Sequence, residues 1–173
     1  MKIAVVTTGG DCAGLNACLH AIVKHARQKY QWDVWGVCDG IQGLLRDDFN
    51  DFSTLPSLSE GGTCIGAVNK GDPKLFYETL LSSYQKQDFD ALIAIGGDGS
   101  CKIMRKFCQK TNIPLVMVPK TIDNDLSGTD WAIGHMTSLE VVVDALTRLH
   151  TTAKSHRRVF VVEVMGRGAG HIA

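Results

Sequence analysis

The residues best suited to chemistry lie in three short polar loops, each of which carries glycine and follows an apolar run. The loops are TTGGDCAGLN at 7–16, IGGDGSCK at 95–102 and VPKTIDNDLSGTD at 118–130. Glycine lets a backbone approach a phosphate closely, and a helix that follows presents unpaired amides and the positive end of its dipole. The three loops therefore predict phosphate binding, although the glycines of the first loop would also fit a simple tight turn.

The second loop combines glycines, a carboxylate and a serine at the start of a predicted helix. The amides of Gly97, Gly99 and Ser100 are expected to hold phosphate oxygens, and Asp98 to hold a magnesium ion that bridges them. The alternative interpretation is that Asp98 only caps the helix.

The third loop carries two aspartates that are two residues apart, Asp123 and Asp125. On an extended segment both carboxylates can point the same way, so that one takes a proton from a hydroxyl while the other assists or helps with metal. Lys120 and Thr121 add a cation and a hydroxyl donor for phosphate. The alternative is an Asx-type loop in which the carboxylates only make turn hydrogen bonds.

The elements that must position these loops are predicted from apolar periodicity. Short runs rich in Val and Ile favour strands buried on both faces, and apolar stripes between them favour helices. The alternation predicts an α/β fold, a doubly wound, mostly parallel Rossmann-like sheet with ligands at the carboxyl ends of its strands. The predicted strands are KIAVVTT (2–8), VWGVC (34–38), ALIAIGG (91–97), PLVMVP (114–119) and RVFVVEVM (158–165).

Composition narrows the class of protein. The chain has 173 residues, 45% of them hydrophobic, which suits one domain. Eighteen basic and eighteen acidic residues cancel, so no nucleic acid or membrane partner is expected. The six cysteines are scattered and are interpreted as reduced thiols of a cytoplasmic protein, with Cys12 as a small buried residue. The six histidines share no motif and are interpreted as surface or core residues.

The last predicted strand is followed by MGRGAGHIA and by no helix that could cover it. We therefore expect residues 1–173 to be a truncated phosphate-donor-binding domain, the amino-terminal domain of a two-domain enzyme. The sugar-phosphate domain would be absent from this chain, and apolar sheet surface would be exposed.

Five motifs in order resemble those of the 6-phosphofructokinase family. They are GGDxxGxN near the start, GGT at 61–63, GGDGS at 96–100, PKTIDND at 119–125 and EVMGRGAG at 163–170. NAD kinases and diacylglycerol kinases also carry GGDG after a strand, but the TIDND and MGR motifs argue against them. The resemblance implies phosphoryl transfer from ATP or pyrophosphate, with Mg²⁺, to the 1-hydroxyl of fructose 6-phosphate. It also implies a cytoplasmic homodimer or homotetramer.

The same resemblance assigns roles to individual residues. Asp123 is implied to be the base that deprotonates the sugar, with Asp125 and Lys120 beside it. Asp98 is implied to bind the metal. The implied donor site comprises Gly10, Asn69, Lys70, Gly97, Asp98, Gly99 and Ser100, although Lys70 would also fit an ordinary surface lysine. The implied sugar site comprises Thr121, Ile122, Asp123, Met165, Gly166 and Arg167, with Arg158 reaching the sugar phosphate of a neighbouring subunit.

Two positions give opposite indications about the donor. Members that use ATP generally carry glycine at the position of Gly99, whereas the lysine at the position of Lys120 is usual in the pyrophosphate type. A carboxylate in place of Gly99 would exclude ATP, but a lysine among phosphates is compatible with either donor. ATP is therefore the expected donor. The alternatives are a pyrophosphate-dependent enzyme and a non-catalytic nucleotide-binding fragment.

Overall fold

A five-stranded sheet forms the centre of the protein in a computed structural model that describes residues 1–67 and 77–173. The strands are β1 (Lys2–Thr7), β2 (Asp33–Val37), β3 (Phe49–Asn50), β4 (Ala91–Gly96) and β5 (Leu115–Pro119). Their order across the sheet is β3-β2-β1-β4-β5, and every pairing is parallel except that of β2 with β3. The predicted α/β fold with a doubly wound, mostly parallel sheet is confirmed.

Among the described residues, four helices lie between these strands and a fifth follows β5. They are α1 (Leu15–Tyr30), α2 (Ile41–Arg46), α3 (Tyr77–Lys86), α4 (Asp98–Thr111) and α5 (His135–His156). The apolar stripes that predicted α1 and α4 face the sheet, where Leu15, Leu19 and Val23 of α1 and Met104 and Phe107 of α4 are buried. No described helix is both long and apolar enough to cross a membrane.

Two apolar clusters cover the opposite faces of the sheet. Because successive residues of a strand point to opposite faces, Ile3 and Val5 of β1 belong to the cluster beneath α1. Ala4 and Val6 belong to the cluster formed with α3 and α4. A central strand that is buried on both sides accounts for the continuous apolar run near the amino terminus.

The strand order brings the three polar loops together. β1 pairs with β4 up to Thr7 and Ile95, and β4 pairs with β5 up to Gly96 and Pro119. The carboxyl ends of these three parallel strands therefore lie side by side at one edge of the sheet. The first, second and third loops follow β1, β4 and β5, respectively.

The prediction of a further strand at 158–165 is wrong for this structure. The segment forms no β-ladder with the described strands, and its Val159 and Val161 side chains are 94% and 96% exposed. The physical reason lies in α5, of whose residues His135 alone is buried, so the helix does not pack on the sheet. The segment that follows is not brought to the free edge of β5. Val116 of β5 is 60% exposed, but β5 is not the strand whose uncovered face was expected.

Candidate active site

The first loop has one glycine that packs against its neighbours and one that faces open space. A Cβ atom at Gly9 would lie 3.2 Å from Lys120 Nζ and 3.3 Å from Ser100 Oγ, and Gly9 has φ +83°, so a larger residue would be strained. A Cβ atom at Gly10 would have no heavy atom of the described residues within 4 Å. The loop is thus in contact with the other two loops at Gly9, whereas at Gly10 no described residue covers it.

Asn16, at the end of the first motif, holds the GGT segment. Its Nδ2 group donates to the carbonyls of Glu60 and Gly61, each at 3.3 Å, and its Oδ1 atom accepts a 2.7 Å hydrogen bond from the Cys64 amide. The amide of Asn16 also donates to the Gly62 carbonyl at 3.0 Å. Two motifs that are far apart in sequence therefore form one surface, and the sequence assigned no role to Asn16.

The second loop leads directly into α4. Gly97 is the N-cap residue, so Asp98 is the first helical residue and is not the cap. The first amides of a helix have no partner within it, which leaves those of Asp98, Gly99 and Ser100 as donors. A Cβ atom at Gly99 would have no heavy atom of the described chain within 4 Å. The predicted phosphate-binding amides thus lie at an open helix amino terminus.

The third loop is a turn and not the extended segment that was expected. Ile122 and Asp123 lie in the turn, and Asn124 has φ +49°. Among the described residues, hydrogen bonds of Thr121 and Asn124 close the loop. Thr121 Oγ1 accepts from the Asp123 amide at 3.1 Å, Asn124 Nδ2 donates to the Asp130 carbonyl at 3.0 Å, and Asn124 Oδ1 accepts from the Ala132 amide at 2.9 Å. The Asp123 side chain is half-buried and Asp125 is exposed.

Lys120 joins the first loop to the third. Its side chain is buried, with 3% exposure, and Nζ donates a hydrogen bond to the Gly10 carbonyl. Its own amide donates to the Gly96 carbonyl at 3.0 Å, so the same residue also contacts the end of β4. Burial lowers the pKa of Lys120, and this effect is partly offset by Cys12 and Asp11. The ammonium therefore lies beneath the first loop and not on its surface.

The thiol of Cys12 has the character of a core residue. It is buried, and its Sγ atom donates to the Ile133 carbonyl at 3.6 Å. Burial raises its pKa to about 11, against the opposing effect of Lys120. A reactive thiolate is therefore not formed near neutral pH, in agreement with the sequence interpretation.

The predicted metal residue, Asp98, already faces a cation of the chain. Asp98 Oδ2 forms a 2.6 Å ion pair with Lys102 Nζ. Hydrogen bonding and charge from Asp98, with a smaller contribution from Asp125, raise the pKa of Lys102. Two carboxylates from different loops thus act on one positive charge. The described residues contain no cluster of three metal-ligating side chains, but Mg²⁺ bound through phosphates needs only one or two carboxylates. The residues present fit such an ion.

The segment that contains and follows the MGR motif contacts the third loop through His171. His171 Nδ1 lies 2.9 Å from the Asp123 carbonyl, and Gly166 and Ile172 are buried. Met165 and Arg167 belong to the same segment and are exposed. The structure therefore brings the segment that follows the predicted sugar-binding motif to the loop that carries the predicted base.

Some predicted residues do not join this group. Arg158 follows the far end of α5, a helix of 22 residues, whose length is about 33 Å at the usual rise per residue. It therefore lies remote from the loops. Asn69 and Lys70 fall outside the described residues. The histidines His135 and His171, which the sequence treated as ordinary, contact the third loop at Ile122 and Asp123.

The fold and the site define a class of protein: a doubly wound α/β domain with its polar loops gathered at the carboxyl edge of a parallel sheet. The sequence model of phosphofructokinase matches residues 2–173, and the chain belongs to the phosphofructokinase family. This finding confirms the resemblance that the five motifs gave and removes the NAD kinase and diacylglycerol kinase alternatives.

Similar proteins come from bacteria and yeast. The chain is 45% identical over 180 residues to the ATP-dependent 6-phosphofructokinase of Trichormus variabilis, covering 99% of this chain and 50% of that protein. It is 46% identical to the enzyme of the same name from Thermosynechococcus vestitus, covering 99% of this chain and 48% of the relative. The solved phosphofructokinase structure from Saccharomyces cerevisiae matches with a TM-score of 0.91 and 34% identity, covering 99% of this chain and 27% of that one.

A pyrophosphate-dependent phosphofructokinase from Marinobacter aquaeolei also matches, with a TM-score of 0.74 and 25% identity over 89% of this chain and 42% of that one. The chain spans about half the length of the curated relatives that it matches.

Proposed function

We propose that this chain binds the phosphoryl donor in an ATP-dependent 6-phosphofructokinase, which converts fructose 6-phosphate to fructose 1,6-bisphosphate. The observation that carries the proposal is the meeting of three segments at one edge of the sheet. The open helix amino terminus at Gly97 lies next to Lys120 and Thr121, in the loop that carries the half-buried Asp123. His171, which follows the MGR motif, contacts the Asp123 carbonyl. A phosphate-binding surface, a proton acceptor and a sugar-binding motif are the parts that such a transfer requires.

The proposed reaction moves one phosphoryl group. The 1-hydroxyl oxygen of the sugar bonds to the terminal phosphorus of ATP, the bond from that phosphorus to the bridging oxygen breaks, and ADP leaves. The hydroxyl proton passes to the carboxylate of Asp123. The amides of Gly99 and Ser100 hold the donor's phosphates, and Thr121 contacts the transferred group. Met165, Gly166 and Arg167 contact the sugar.

In this proposal Lys120 orients the first loop and does not contact the donor directly. Because its Nζ atom donates to the Gly10 carbonyl from below, it fixes the peptide between Gly10 and Asp11. Trans peptides point their C=O and N–H groups in opposite directions. The Asp11 amide is therefore turned away from Lys120, toward the side of the loop where Gly10 is open.

Asp98 and Asp125 would hold Mg²⁺, which when bound neutralises charge on the donor's phosphates. In the free protein Lys102 balances these carboxylates, and an exposed lysine is free to move aside.

ATP is favoured over pyrophosphate as the donor. Gly99 leaves its surroundings open, and the relatives that are 45% and 46% identical are named as ATP-dependent enzymes. A cytoplasmic location and a homodimeric or homotetrameric state belong to the same proposal. Arg158 would then serve the site of a neighbouring subunit, since it lies remote from the loops of its own chain.

The test uses the full-length enzyme, by which we mean this chain together with the half that its relatives carry beyond it. Asp123→Asn should lower kcat by about two to four orders of magnitude, because a positioned general base is lost. The KM for ATP should change little. Asp130→Asn is the matched control, because Asp130 is an exposed aspartate of the same loop, and it should keep wild-type kcat. Near-wild-type turnover of Asp123→Asn would remove Asp123 from the role of base.

A comparison of the isolated chain with the full-length protein tests the remaining alternative, a non-catalytic nucleotide-binding fragment. It should bind MgATP but show no phosphofructokinase turnover, since the rest of the sugar site is supplied by the other half. If the full-length protein bound MgATP and also failed to phosphorylate fructose 6-phosphate, a non-catalytic nucleotide-binding role would be the better explanation.

A further inference from the structure

We propose that His135 and His171 are positioning residues that hold the backbone on both sides of Asp123. The proposal rests on the proposed function, in which Asp123 is the base. It assigns a role to two side chains that carry no recognisable motif. The two histidines come from different parts of the chain, the start of α5 and the segment after the MGR motif, and they bind neighbouring carbonyl groups.

His135 holds the peptide that precedes Asp123. Its side chain is buried, with 3% exposure, and Nδ1 lies 2.7 Å from the Ile122 carbonyl oxygen. The ring stacks on Trp131, with centroids 5.8 Å apart and an angle of 15° between the planes. Ser138 Oγ donates to the His135 carbonyl at 2.6 Å. The ring is therefore confined on its face and at its backbone, so its hydrogen bond has a fixed direction.

His171 holds the peptide that follows Asp123. Its Nδ1 atom lies 2.9 Å from the Asp123 carbonyl oxygen. The side chain is exposed, but the neighbouring Ile172 is buried with 6% exposure and anchors the segment. A carbonyl oxygen only accepts hydrogen bonds, so Nδ1 of each histidine must carry the proton. Both rings therefore act as donors.

Together these contacts restrict the two rotations that orient the Asp123 backbone. A peptide unit is planar, so its orientation is fixed once its C=O and N–H groups are both held. The unit before Asp123 is held at its carbonyl by His135 and at its amide by Thr121 Oγ1. The unit after it is held at its carbonyl by His171. What remains free is the rotation of the short carboxylate side chain.

The consequence for catalysis is geometric. A base acts well only within hydrogen-bond reach of the proton that it removes, and a misplacement of about 1 Å can lower a rate by about 100-fold. The turn around Asp123 lies outside any strand or helix, so the ladder hydrogen bonds that hold β5 do not hold it. The two histidines supply the missing restraint from outside the loop.

The experiment compares substitutions that keep or remove the donor. In the full-length enzyme, His135→Phe retains an aromatic ring against Trp131 but cannot donate, whereas His135→Asn offers an amide N–H close to the position of Nδ1. We expect His135→Phe to lower kcat by about 10- to 100-fold, with the KM for ATP within about twofold of wild type. His135→Asn should recover most of the lost kcat. His171→Ala and His171→Asn form the second pair, with the same expected order.

The outcomes separate this proposal from the proposed function. Asp123→Asn is measured in parallel, and if it keeps its turnover the role of Asp123 itself is wrong. If Asp123→Asn is inactive while His135→Phe and His171→Ala keep wild-type kcat, the positioning role is wrong and the proposed function stands. A fall in thermal stability without a fall in kcat would likewise contradict it. His171 is exposed, so its substitution is expected to leave folding intact. If His135→Phe fails to fold, the comparison of His171→Ala with His171→Asn therefore tests the positioning role.

Discussion

Gly99 offers a direct test of the donor, because the described residues place no steric demand on it. It is exposed near the start of α4, and a Cβ atom there would meet no heavy atom of the described residues within 4 Å. A side chain at this position therefore has room in the free protein. The same side chain would enter the space above the helix amino terminus, where the donor's phosphates are proposed to lie.

The expected magnitudes follow from this geometry. Replacing glycine in a helix by another residue stabilises it by up to about 1 kcal/mol, and an acidic group near a helix amino terminus adds about 0.3–1 kcal/mol. Gly99→Asp should therefore fold at least as stably as wild type. Two negative charges about 4 Å apart repel by about 4 kcal/mol at an effective dielectric constant of about 20. This penalty corresponds to a loss of about 1000-fold in kcat/KM for ATP.

The assay uses three variants to separate size from charge. Gly99→Ala adds a methyl group, Gly99→Asn adds the shape of aspartate without its charge, and Gly99→Asp adds both. Steady-state rates with ATP and with pyrophosphate are measured for the full-length enzyme at saturating fructose 6-phosphate and magnesium. Urea denaturation of each variant reports the free energy of unfolding. The loss with ATP should increase in the order Ala, Asn, Asp, while the preference of Gly99→Asp shifts toward pyrophosphate.

Two results would contradict this prediction. If wild type uses pyrophosphate better than ATP, Lys120 and not Gly99 is the residue that indicates the donor. If Gly99→Asp keeps wild-type kcat/KM for ATP while folding normally, the donor's phosphates do not lie above this helix terminus. A large loss of folding stability in Gly99→Ala would instead contradict the open surroundings of Gly99.

Two further predictions concern packing and protonation. In Gly96→Ala the new Cβ atom would lie 2.6 Å from Thr8 Oγ1 and 2.7 Å from Ser100 Cβ. We therefore expect a loss of about 1–3 kcal/mol in the free energy of unfolding, measured by urea denaturation. Unchanged stability would show that the loops separate without strain. Burial lowers the pKa of Lys120 from 10.5. Between that lowered pKa and pH 10.5, the unfolded chain therefore binds more protons than the folded protein. The unfolding free energy of wild type, relative to that of Lys120→Met, should rise with pH across this range. Parallel pH curves for the two proteins would mean that Lys120 titrates normally in the fold.

Those elements of the fold could be predicted whose residue pattern lies within a single continuous segment of the sequence. The strands β1, β2, β4 and β5 are continuous apolar runs, and the stripes of α1 and α4 repeat at helical spacing, so each was recognisable without its neighbours. The two-residue strand β3 and the six-residue helix α2 are too short for any periodicity to appear. The run at 158–165 has the composition of a strand, but pairing requires a free edge beside it, and composition does not tell where that edge lies.

The local patterns predicted the candidate site as three separate loops, and the resemblance to a family joined them into one site. Which loops meet depends on the strand order, and nothing local in β4 indicates that it pairs with β1, since the two strands are more than 80 residues apart in sequence. The bond from Lys120 to the Gly10 carbonyl follows from that order, as does its burial. His135 and His171 escaped notice because their partners are backbone carbonyls, which every residue possesses and which leave no pattern in the sequence.

The glycines of this site fall into two groups, and substitutions in the two groups should impair the enzyme for different reasons. At Gly96 a Cβ atom would collide with Thr8 and Ser100, and at Gly9 it would make tight contacts with Lys120 and Ser100, so these glycines let the loops touch one another. At Gly10 and Gly99 a Cβ atom would meet none of the described residues, so packing within the described part of the chain does not require them to lack a side chain. An open glycine on a helix terminus or phosphate-type loop is explained instead by a ligand that needs the bare backbone. A substitution in the first group is therefore expected to act through stability, and one in the second through donor binding alone.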